Sequence, residues 1–375
     1  MAHQRLFRER PQYRLVDHKN IKPENVMKGV HLIGHGGIEK LVYKEDLPIP
    51  VPNNHEVLIQ VTAAGVNNTD INTRLGWYSK KNIKTINNQK NLNLKDLENE
   101  PGSWTGHELS FPIIQGADIC GHIVKVGKNV NQSRVGERVI VRSMQNHNNE
   151  KKTVGSEING GFAQFTSIDS REAFLINSNW TDVQLASIPC SYSTAEGMLQ
   201  KASAGKENIL ITGASGGVGS AAVQLSNLRG ANVIAQCSKE KSEDLKIIGA
   251  HKTIDRNDSL IKLLGKNSID LVVDLVGGKQ WPQILEILKP GGRYVASGAI
   301  AGPIVELDLR TLYLKDLIIY GSTFNHINIF HDLINYIERN KIKPIIAKTF
   351  ALKDIKLAQE MFMEKKFVGK IVLIP

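Results

Sequence analysis

The chain has 375 residues, 41% of them hydrophobic and 22% charged, which is enough for two domains with separate cores. Its three cysteines include no Cys-x-x-Cys pair, which excludes a structural zinc lobe and indicates reduced thiols. No apolar run reaches the roughly 20 residues that span a bilayer, and the N-terminus lacks the apolar segment of a signal peptide. We therefore expect a cytoplasmic protein without a membrane partner.

The formal net charge of +10 raises the question of nucleic-acid binding. The lysines, however, are spread along the chain, often beside asparagines, and no aromatic stacking module accompanies them. Nucleic acid is therefore not an expected partner. The positive field is explained more simply by attraction of a phosphorylated cofactor.

The first 179 residues predict a basic arm followed by a domain of mixed strands. Residues 1–26 carry several arginines without hydrophobic periodicity and are predicted to be the arm. Strands are predicted from there on, at 28–33, 56–62, 118–126, 138–141 and 162–168. The polar stretches 79–110 and 145–161 are predicted to be loops, the first with a short helix at 92–97.

From about residue 180 the pattern alternates between strand and helix. The predicted strands are apolar segments at 208–212, 232–236, 252–254, 270–274, 293–297 and 317–321. The predicted helices lie between them, at 218–229, 242–248, 259–264 and 280–288. This rhythm is typical of a doubly wound parallel sheet, whose strands are buried on both faces. Helices near 328–339 and 353–364 and a strand at 370–373 complete the chain.

Residues 212–219 read Thr-Gly-Ala-Ser-Gly-Gly-Val-Gly between a predicted strand and a predicted helix. In this context Gly216 lets the backbone approach a pyrophosphate, and Gly219 lets the helix pack closely on the strand. The free N–H groups of the first helical turn face the phosphates. We therefore predict a nicotinamide cofactor held by Ser215, Gly216, Gly217, Val218 and Gly219.

Several short motifs follow one another along residues 27–375. They are Ala64-Gly65-Val66-Asn67-Asn68-Thr69-Asp70, Gly116-Ala117-Asp118-Ile119-Cys120-Gly121, Gly136-Glu137-Arg138-Val139, Ile188-Pro189-Cys190, the glycine loop, Asp274-Leu275-Val276-Gly277-Gly278 and Gly369-Lys370. In order and spacing they resemble the medium-chain dehydrogenase/reductase superfamily, and within it the zinc-independent quinone-oxidoreductase-like branch. The resemblance implies an α/β fold: a GroES-like mixed β catalytic domain at 27–179, a Rossmann cofactor domain with a doubly wound parallel sheet at 180–325, and a segment 326–375 returning to the catalytic domain.

The resemblance allows this chain to be compared with zinc-dependent relatives at each zinc-ligand position. Zinc-dependent relatives carry a Cys where this chain has Asn67 and a His where it has Ala117, so that only Cys190 keeps its type. A catalytic zinc needs three protein ligands, so we predict no zinc and a buried structural role for Cys190. Gly106-His107-Glu108 spells the zinc motif too early in the chain, and His107 is predicted to be exposed or packed in its loop.

The cofactor is predicted to be NADP(H) rather than NAD(H). NAD-specific sites place an acidic residue about 20 positions after the glycine motif, where it binds the ribose hydroxyls. Here that position holds Cys237, followed by Ser238-Lys239-Glu240-Lys241. Ser238 can donate to a 2′-phosphate, and Lys239 or Lys241 can supply positive charge. If Glu240 occupied the acidic position at the end of this strand, NAD(H) would be favoured instead.

Without zinc, the resemblance implies hydride delivery to a quinone, an enone or a similar activated carbonyl. The protein would supply orientation and a hydrogen bond to the substrate oxygen, and the candidate groups for that bond are Asn67, Tyr78 and Tyr192. Asp70 is predicted to have a structural role, such as capping. The resemblance also places further residues beside the cofactor: Thr194, Val276, Ser297, Gly298, Ala299 and Lys370.

Two alternatives remain open at this point. An alcohol dehydrogenase acting on an alcohol/aldehyde pair, with or without zinc, would be distinguished by metal analysis. A non-catalytic nucleotide-sensing or RNA-associated protein, motivated by the basic arm, would bind the cofactor but reduce no acceptor. The resemblance further suggests a homodimer formed through the sheet edge of the cofactor domain near 300–325.

Overall fold

The structure, a computed structural model, describes residues 26–79, 102–147 and 150–375. The arm predicted at 1–26, apart from its last residue, and the helix predicted at 92–97 lie outside the described residues. Within the described ranges, no helix is long and apolar enough to cross a membrane.

The N-terminal half folds into antiparallel sheets, as its strand patterns predicted. Its strands are β1 (Val26–Leu32), β2 (Leu41–Pro48), β3 (Glu56–Val66), β4 (Ile113–Ile114), β5 (Asp118–Val126), β6 (Arg138–Val141), β7 (Met144–His147), β8 (Glu150–Thr153), β9 (Phe165–Asp169) and β10 (Ala173–Leu175). β1 lies between β2 and β4 in a small sheet. β3 lies inside the larger sheet, where it pairs with β5 and β9, and the short helix α1 (Asn68–Arg74) follows it.

The prediction of a polar loop at 145–161 is wrong in its first half. β7 and β8 pair as an antiparallel hairpin there, with Met144 opposite Thr153 and Gln145 opposite Lys152. Met144 and Thr153 are buried. Composition did not reveal the hairpin because a ribbon with a polar outer face can form from residues that also suit a loop.

The second half is the predicted doubly wound sheet. Its strands are β11 (Asn208–Ile211), β12 (Asn232–Cys237), β13 (Lys252–Asp255), β14 (Ile269–Asp274), β15 (Leu288–Ala296) and β16 (Ile318–Gly321). They are all parallel, in the order β13-β12-β11-β14-β15-β16. The chain reverses its winding between β11 and β14, and ligands bind at the carboxyl ends of the strands at such a point.

Helices cover both faces of this sheet. The short α2 (Asp182–Leu185) contacts β3 and β5 of the larger sheet instead. The helices of the parallel sheet are α3 (Pro189–Lys201), α4 (Gly217–Leu228), α5 (Ser242–Ile247), α6 (Leu260–Leu264), α7 (Trp281–Ile287), α8 (Leu309–Leu314) and α9 (Ile327–Glu338). The sequence did not predict α3, which packs between α4 and α9. All but the last two of its residues are buried, so it lacks the one-sided apolar stripe that identifies a surface helix.

The C-terminal segment is shared between the two halves of the molecule, and its last part returns to the larger sheet of the first half. α9 buries Phe330, Leu333 and Ile337 in the core of the cofactor half. The return begins with β17 (Ile346–Ala351), followed by α10 (Ile355–Glu364) and β18 (Lys370–Ile374). β18 pairs with both β17 and β3, and so completes the larger sheet of the catalytic domain.

Candidate functional site

The glycine loop connects β11 to α4 in the geometry of a phosphate cradle. Gly213 has a φ of +59°, and a Cβ on Gly219 would lie only 2.3 Å from the carbonyl oxygen of Gly213. Gly219 is therefore required for α4 to approach the strand. A Cβ on Gly216 would meet nothing closer than 3.6 Å, so the fold itself leaves open space there. The first N–H groups of α4, from Gly217 onward, have no intrahelical acceptor and can bind an anion.

A second strand end adjoins this loop at the sheet's switch point. The buried carboxylate of Asp274, at the end of β14, accepts hydrogen bonds from the Thr212 hydroxyl and from the N–H of Val276, 2.8 Å away. Val276 thereby lies beside Gly213. The strand end after β15 lies next to the same turn, through Ser297, Gly298 and Ala299. The structure brings these predicted cofactor residues together at one edge.

Two lysines from distant parts of the chain meet beside the glycine loop. The ammonium of Lys241 donates to the Ser215 hydroxyl at 3.3 Å and to the backbone carbonyl of Lys365 at 2.5 Å. The ammonium of Lys365 donates to Asn68 at 3.0 Å and lies over the ring of Phe362. Burial, reinforced by the charge of Lys241, lowers the pKa of Lys365 to about 7. A pair of partly buried cations is the electrostatic complement of a phosphate.

The other residues after β12 are more exposed. Ser238 precedes a short turn of helix, Lys239–Lys241, in which the side chain of Lys239 is exposed. Hydrogen bonds from its own backbone N–H and from Ser238 lower the pKa of the exposed Glu240. The structure therefore brings Lys241 to the glycine loop, whereas Lys239 faces solvent.

The centre of the site is a buried polar cluster. Lys370, at the start of β18, donates from its ammonium to the side-chain oxygen of Asn67 at 2.5 Å and to the carboxylate of Asp118 at 2.7 Å. The amide nitrogen of Asn67 donates to the same carboxylate at 2.8 Å. All three residues are buried. The methylene chain of Lys370 lies against Gly217, where an added Cβ would be 2.9 Å from its Cδ.

Asp70 has a structural role next to the cluster, as the sequence predicted. Its carboxylate accepts from the backbone N–H of Asn67 at 2.7 Å, forming a capping box at the start of α1, and from the N–H of Gly116 at 3.2 Å. Burial raises the pKa of Asp70 to about 7 even though these bonds lower it. Asp70 therefore fixes the segment that carries Asn67.

Cys190 lies at the N-terminal end of α3 against the same cluster. Its backbone N–H donates to the second carboxylate oxygen of Asp118 at 2.5 Å, and its own carbonyl accepts from the Thr194 hydroxyl at 2.7 Å. Burial, together with the charge of Asp118, raises the pKa of the Cys190 thiol to about 12. Cys190 is buried, as predicted, and Thr194 is buried one turn further along the helix.

The residues at this position do not fit a zinc ion. The amide oxygen of Asn67 is bound to an ammonium group, and Ala117 has no donor atom. Cys190 alone keeps a ligand-type side chain, and a catalytic zinc needs three protein ligands. Throughout the described ranges, no group of three His, Cys, Asp or Glu residues could hold a metal ion. His107, of the early Gly-His-Glu motif, is exposed as predicted.

The two candidate tyrosines occupy different surroundings. The Tyr78 hydroxyl donates to Thr69 at 3.2 Å and accepts from Asn72 at 3.3 Å, and its ring stacks on Trp104. Burial raises the pKa of Tyr78 to about 12, so it remains protonated at neutral pH. Tyr78 is thus a protonated aromatic residue beside α1, and its hydroxyl is bonded to Thr69 and Asn72.

Tyr192 is not retained as a proton donor. The structure places it in the core between α3 and α4, with its ring buried. Its hydroxyl donates to the carbonyl of Lys343 and accepts from Gln224, each at 2.9 Å. No sequence pattern indicated this, because α3 was not predicted and the hydroxyl points to the interior side of that helix.

Together, the fold and the glycine loop define a dinucleotide-dependent oxidoreductase, and comparison with known proteins identifies its family. Residues 53–178 match the family described as "Alcohol dehydrogenase GroES-like domain" and residues 217–339 match "Zinc-binding dehydrogenase". A solved structure designated an alcohol dehydrogenase, from Sinorhizobium meliloti 1021, is 40% identical, covers 94% of this chain and 97% of its own, and has a TM-score of 0.84. The chain belongs to the medium-chain dehydrogenase/reductase superfamily of NAD(P)H-dependent oxidoreductases, which confirms the predicted family and fold class.

Curated relatives extend over nearly the whole chain at lower identity. The quinone oxidoreductase of Homo sapiens is 25% identical over 366 residues, which cover 94% of this chain and 98% of the relative. The acryloyl-coenzyme A reductase of Sulfurisphaera tokodaii is 27% identical over 349 residues, covering 88% of this chain and 96% of the relative. The chain is therefore similar to a quinone oxidoreductase and an acryloyl-coenzyme A reductase as well as to an alcohol dehydrogenase.

Sequence reasoning missed two residues of this site. Asp118 was noted only as part of the motif at residues 116–121, yet it is the carboxylate that anchors the cluster. Lys365 was not singled out, because it lies at the end of α10 and more than one hundred residues from Lys241. Only the fold could show that the two lysines meet.

Proposed function

We propose that this protein is an NADPH-dependent, zinc-free reductase that delivers hydride to a quinone, an enone or a similar activated carbonyl. The observation that carries the proposal is the cluster of Asn67, Asp118 and Lys370, an ion pair with an amide in the position that a catalytic zinc would need. A site without a strong Lewis acid favours acceptors that are already activated by conjugation. The relatives named quinone oxidoreductase and acryloyl-coenzyme A reductase support this class.

The preference for NADPH rests on the two lysines beside the glycine loop. Lys241 contacts Ser215 and the backbone carbonyl of Lys365, where a phosphorylated ribose would approach the end of β12. The residue that would be acidic in an NAD site is the buried Cys237. Glu240 opposes this preference, but it is exposed and bonded to Ser238 rather than to the loop.

When bound, the nicotinamide supplies a hydride, and the chain supplies binding and orientation. The N-terminus of α4 would hold the pyrophosphate, and Val276 with Ser297, Gly298 and Ala299 would line the nicotinamide side. Thr194 would pack near the ring from α3. Tyr78 remains a candidate for a hydrogen bond to the substrate oxygen, whereas the Asn67 amide is already bonded to Lys370 and Asp118.

The test is a fluorescence titration of the purified protein with NADPH and NADH, followed by turnover assays on quinones, enones and aldehydes. Tighter binding of NADPH and reduction of a conjugated acceptor are the expected results. Preference for NADH would refute the cofactor assignment. Cofactor binding without reduction of any acceptor would favour a nucleotide-sensing protein instead.

An alcohol dehydrogenase is the second candidate function. It is favoured by the structure from Sinorhizobium meliloti 1021, which is 40% identical to this chain and designated an alcohol dehydrogenase. This candidate predicts oxidation of a primary or secondary alcohol with NADP⁺ or NAD⁺. The same assay run in the reverse direction distinguishes the two, because the first proposal predicts no oxidation of simple alcohols.

We also propose a homodimer formed through the edge of the six-stranded sheet. β16 is the edge strand, and its Ile318 and Ile319 are exposed beside Leu314 of α8, which is 71% exposed. An apolar strand edge is a template for pairing with a second copy. Sedimentation analysis should give a dimer for the wild type and a monomer for Leu314→Glu with Ile319→Lys. A monomeric wild type would contradict the proposal.

A reducing compartment is proposed from the thiols. Cys120, Cys190 and Cys237 are all free and buried. Free thiols without disulfides are typical of the cytoplasm. Fractionation of the native cell is expected to recover the protein in the cytoplasmic fraction, and recovery in an oxidising compartment would contradict this.

A further inference from the structure

The ammonium of Lys370 lies where four elements from both halves of the molecule meet. Asn67 follows β3, Asp118 begins β5, and Cys190 begins α3, while the Lys370 side chain passes Gly217 at the start of α4. The charge is therefore located between the phosphate cradle and the catalytic domain.

The hydrogen bonds of this ammonium are incomplete. A protonated lysine has three N–H donors. Among the residues that the structure describes, Lys370 donates to the carboxylate of Asp118 and to the amide oxygen of Asn67, and no acceptor is found for its third N–H. A buried donor without an acceptor is unfavourable, so a bound ligand oxygen would complete the site.

The hydrogen bonds of the cluster indicate which member can take a further partner. All three residues are buried, with Asp118 at 0%, Lys370 at 3% and Asn67 at 6% exposure. The carboxylate is also already bonded, through its two oxygens, to the Asn67 amide, the Cys190 N–H and the ammonium. The carboxylate holds the cation in place, and the ammonium is the group available to a substrate.

We propose that Lys370 is a catalytic residue that donates its third N–H to the carbonyl oxygen of the acceptor, where it stabilises the negative charge formed during reduction. The inference rests on the proposed reductase function and adds a specific electrophile to it. Asp118 and Asn67 are positioning residues that orient the ammonium. A preorganised cation in a site shielded from water is an effective stabiliser of such charge.

The chemistry balances without a metal. Addition of hydride to the β-carbon of a conjugated carbonyl shifts the C=C electron pair toward the oxygen and forms an enolate. The enolate oxygen accepts the Lys370 N–H, and the α-carbon then takes one proton from solvent. Lys370 remains an ammonium throughout, and the acceptor gains one hydride and one proton.

The test compares Lys370→Met, Lys370→Arg and the double variant Lys370→Met with Asp118→Asn. The double variant removes both charges, so it avoids an unpaired buried carboxylate that could unfold the single variant. Lys356→Met, on the exposed face of α10, is the matched control. The measurements are NADPH affinity by fluorescence, kcat and KM on an acceptor that the wild type reduces, and binding of 4-nitrophenolate, which mimics an enolate oxygen, by its absorbance in the presence of NADP⁺.

The double variant is expected to bind NADPH within about threefold of the wild type but to lose about 100-fold in kcat and most of its 4-nitrophenolate binding. Lys370→Arg should recover part of both. Unchanged kcat and phenolate binding would overturn the assignment, and a loss of NADPH affinity would make Lys370 a cofactor residue instead. If the wild type reduces no acceptor, the reductase function fails, while phenolate binding that depends on Lys370 still supports the oxyanion site.

Discussion

Substitutions in the glycine loop are predicted to affect cofactor binding with or without a loss of stability, depending on the position. Gly216 and Gly219 lie three residues apart, but only Gly219 is required by the fold. A Cβ on Gly219 would be 2.3 Å from the Gly213 oxygen and 2.6 Å from the Ala214 Cα, both backbone atoms. A Cβ on Gly216 would meet only ordinary contact, at a φ of −74° that any residue adopts.

The magnitudes follow from these contacts. In Gly219→Ala, α4 must retreat by about 1 Å to reach ordinary contact, and such overpacking lowers the free energy of unfolding by about 1–3 kcal/mol. Gly216→Ala lowers it by less than about 1 kcal/mol, because this position precedes the helix. Each change disturbs at least one phosphate hydrogen bond worth about 1.5–3 kcal/mol, so NADPH affinity falls about 10- to 100-fold in both variants.

The assay combines urea unfolding with a fluorescence titration of NADPH. Gly205→Ala is the matched control, since a Cβ there meets nothing within 4 Å, and it should change neither quantity. Wild-type NADPH affinity in Gly216→Ala would refute the placement of the pyrophosphate at this loop. Wild-type stability in Gly219→Ala would refute the close packing of α4.

Three further predictions concern the charged groups. Lys241→Ala should weaken NADPH binding about 10- to 100-fold, as loss of one charge-assisted bond implies, while changing NADH binding little in parallel titrations. Wild-type NADPH affinity should fall as the pH rises through about 7, where Lys365 loses its charge, and Lys365→Met should bind more weakly and without that dependence when titrated across the same range. Because burial raises the pKa of Asp70 from 3.8 to about 7, its proton stabilises the folded protein at low pH, and this contribution is lost as the pH rises between those values. Urea unfolding of Asp70→Asn should lack that loss, and an identical pH slope in both proteins would contradict it.

The fold of the cofactor half could be predicted because its strands, turns and helix starts depend on residues close together in the sequence. The strands on both sides of the glycine loop are continuous apolar segments, and β11 is buried through Ile209, Leu210 and Ile211. Turn glycines and a helix start follow directly in the sequence. The same locality allowed Asp70 to be predicted as a capping residue, because its partner Asn67 lies three positions away.

The polar cluster could not be predicted because its members are distant in sequence. Lys370 and Asp118 are 252 positions apart, and their contact depends on β18 returning beside β3. Tyr192 failed as a candidate for a related reason. Its helix is buried on nearly every side, so no periodic pattern indicated which face reached the interior.

The most direct test of a zinc-free reductase measures zinc content and reductase activity in one sample. The protein is stripped with a chelator, its metal content is determined by mass spectrometry, and the reduction of an enone or quinone by NADPH is followed with and without added zinc. We predict full activity in protein that holds far less than one zinc per chain, with no gain when zinc is added. Activity that disappears with the metal and returns with it would contradict a zinc-free reaction.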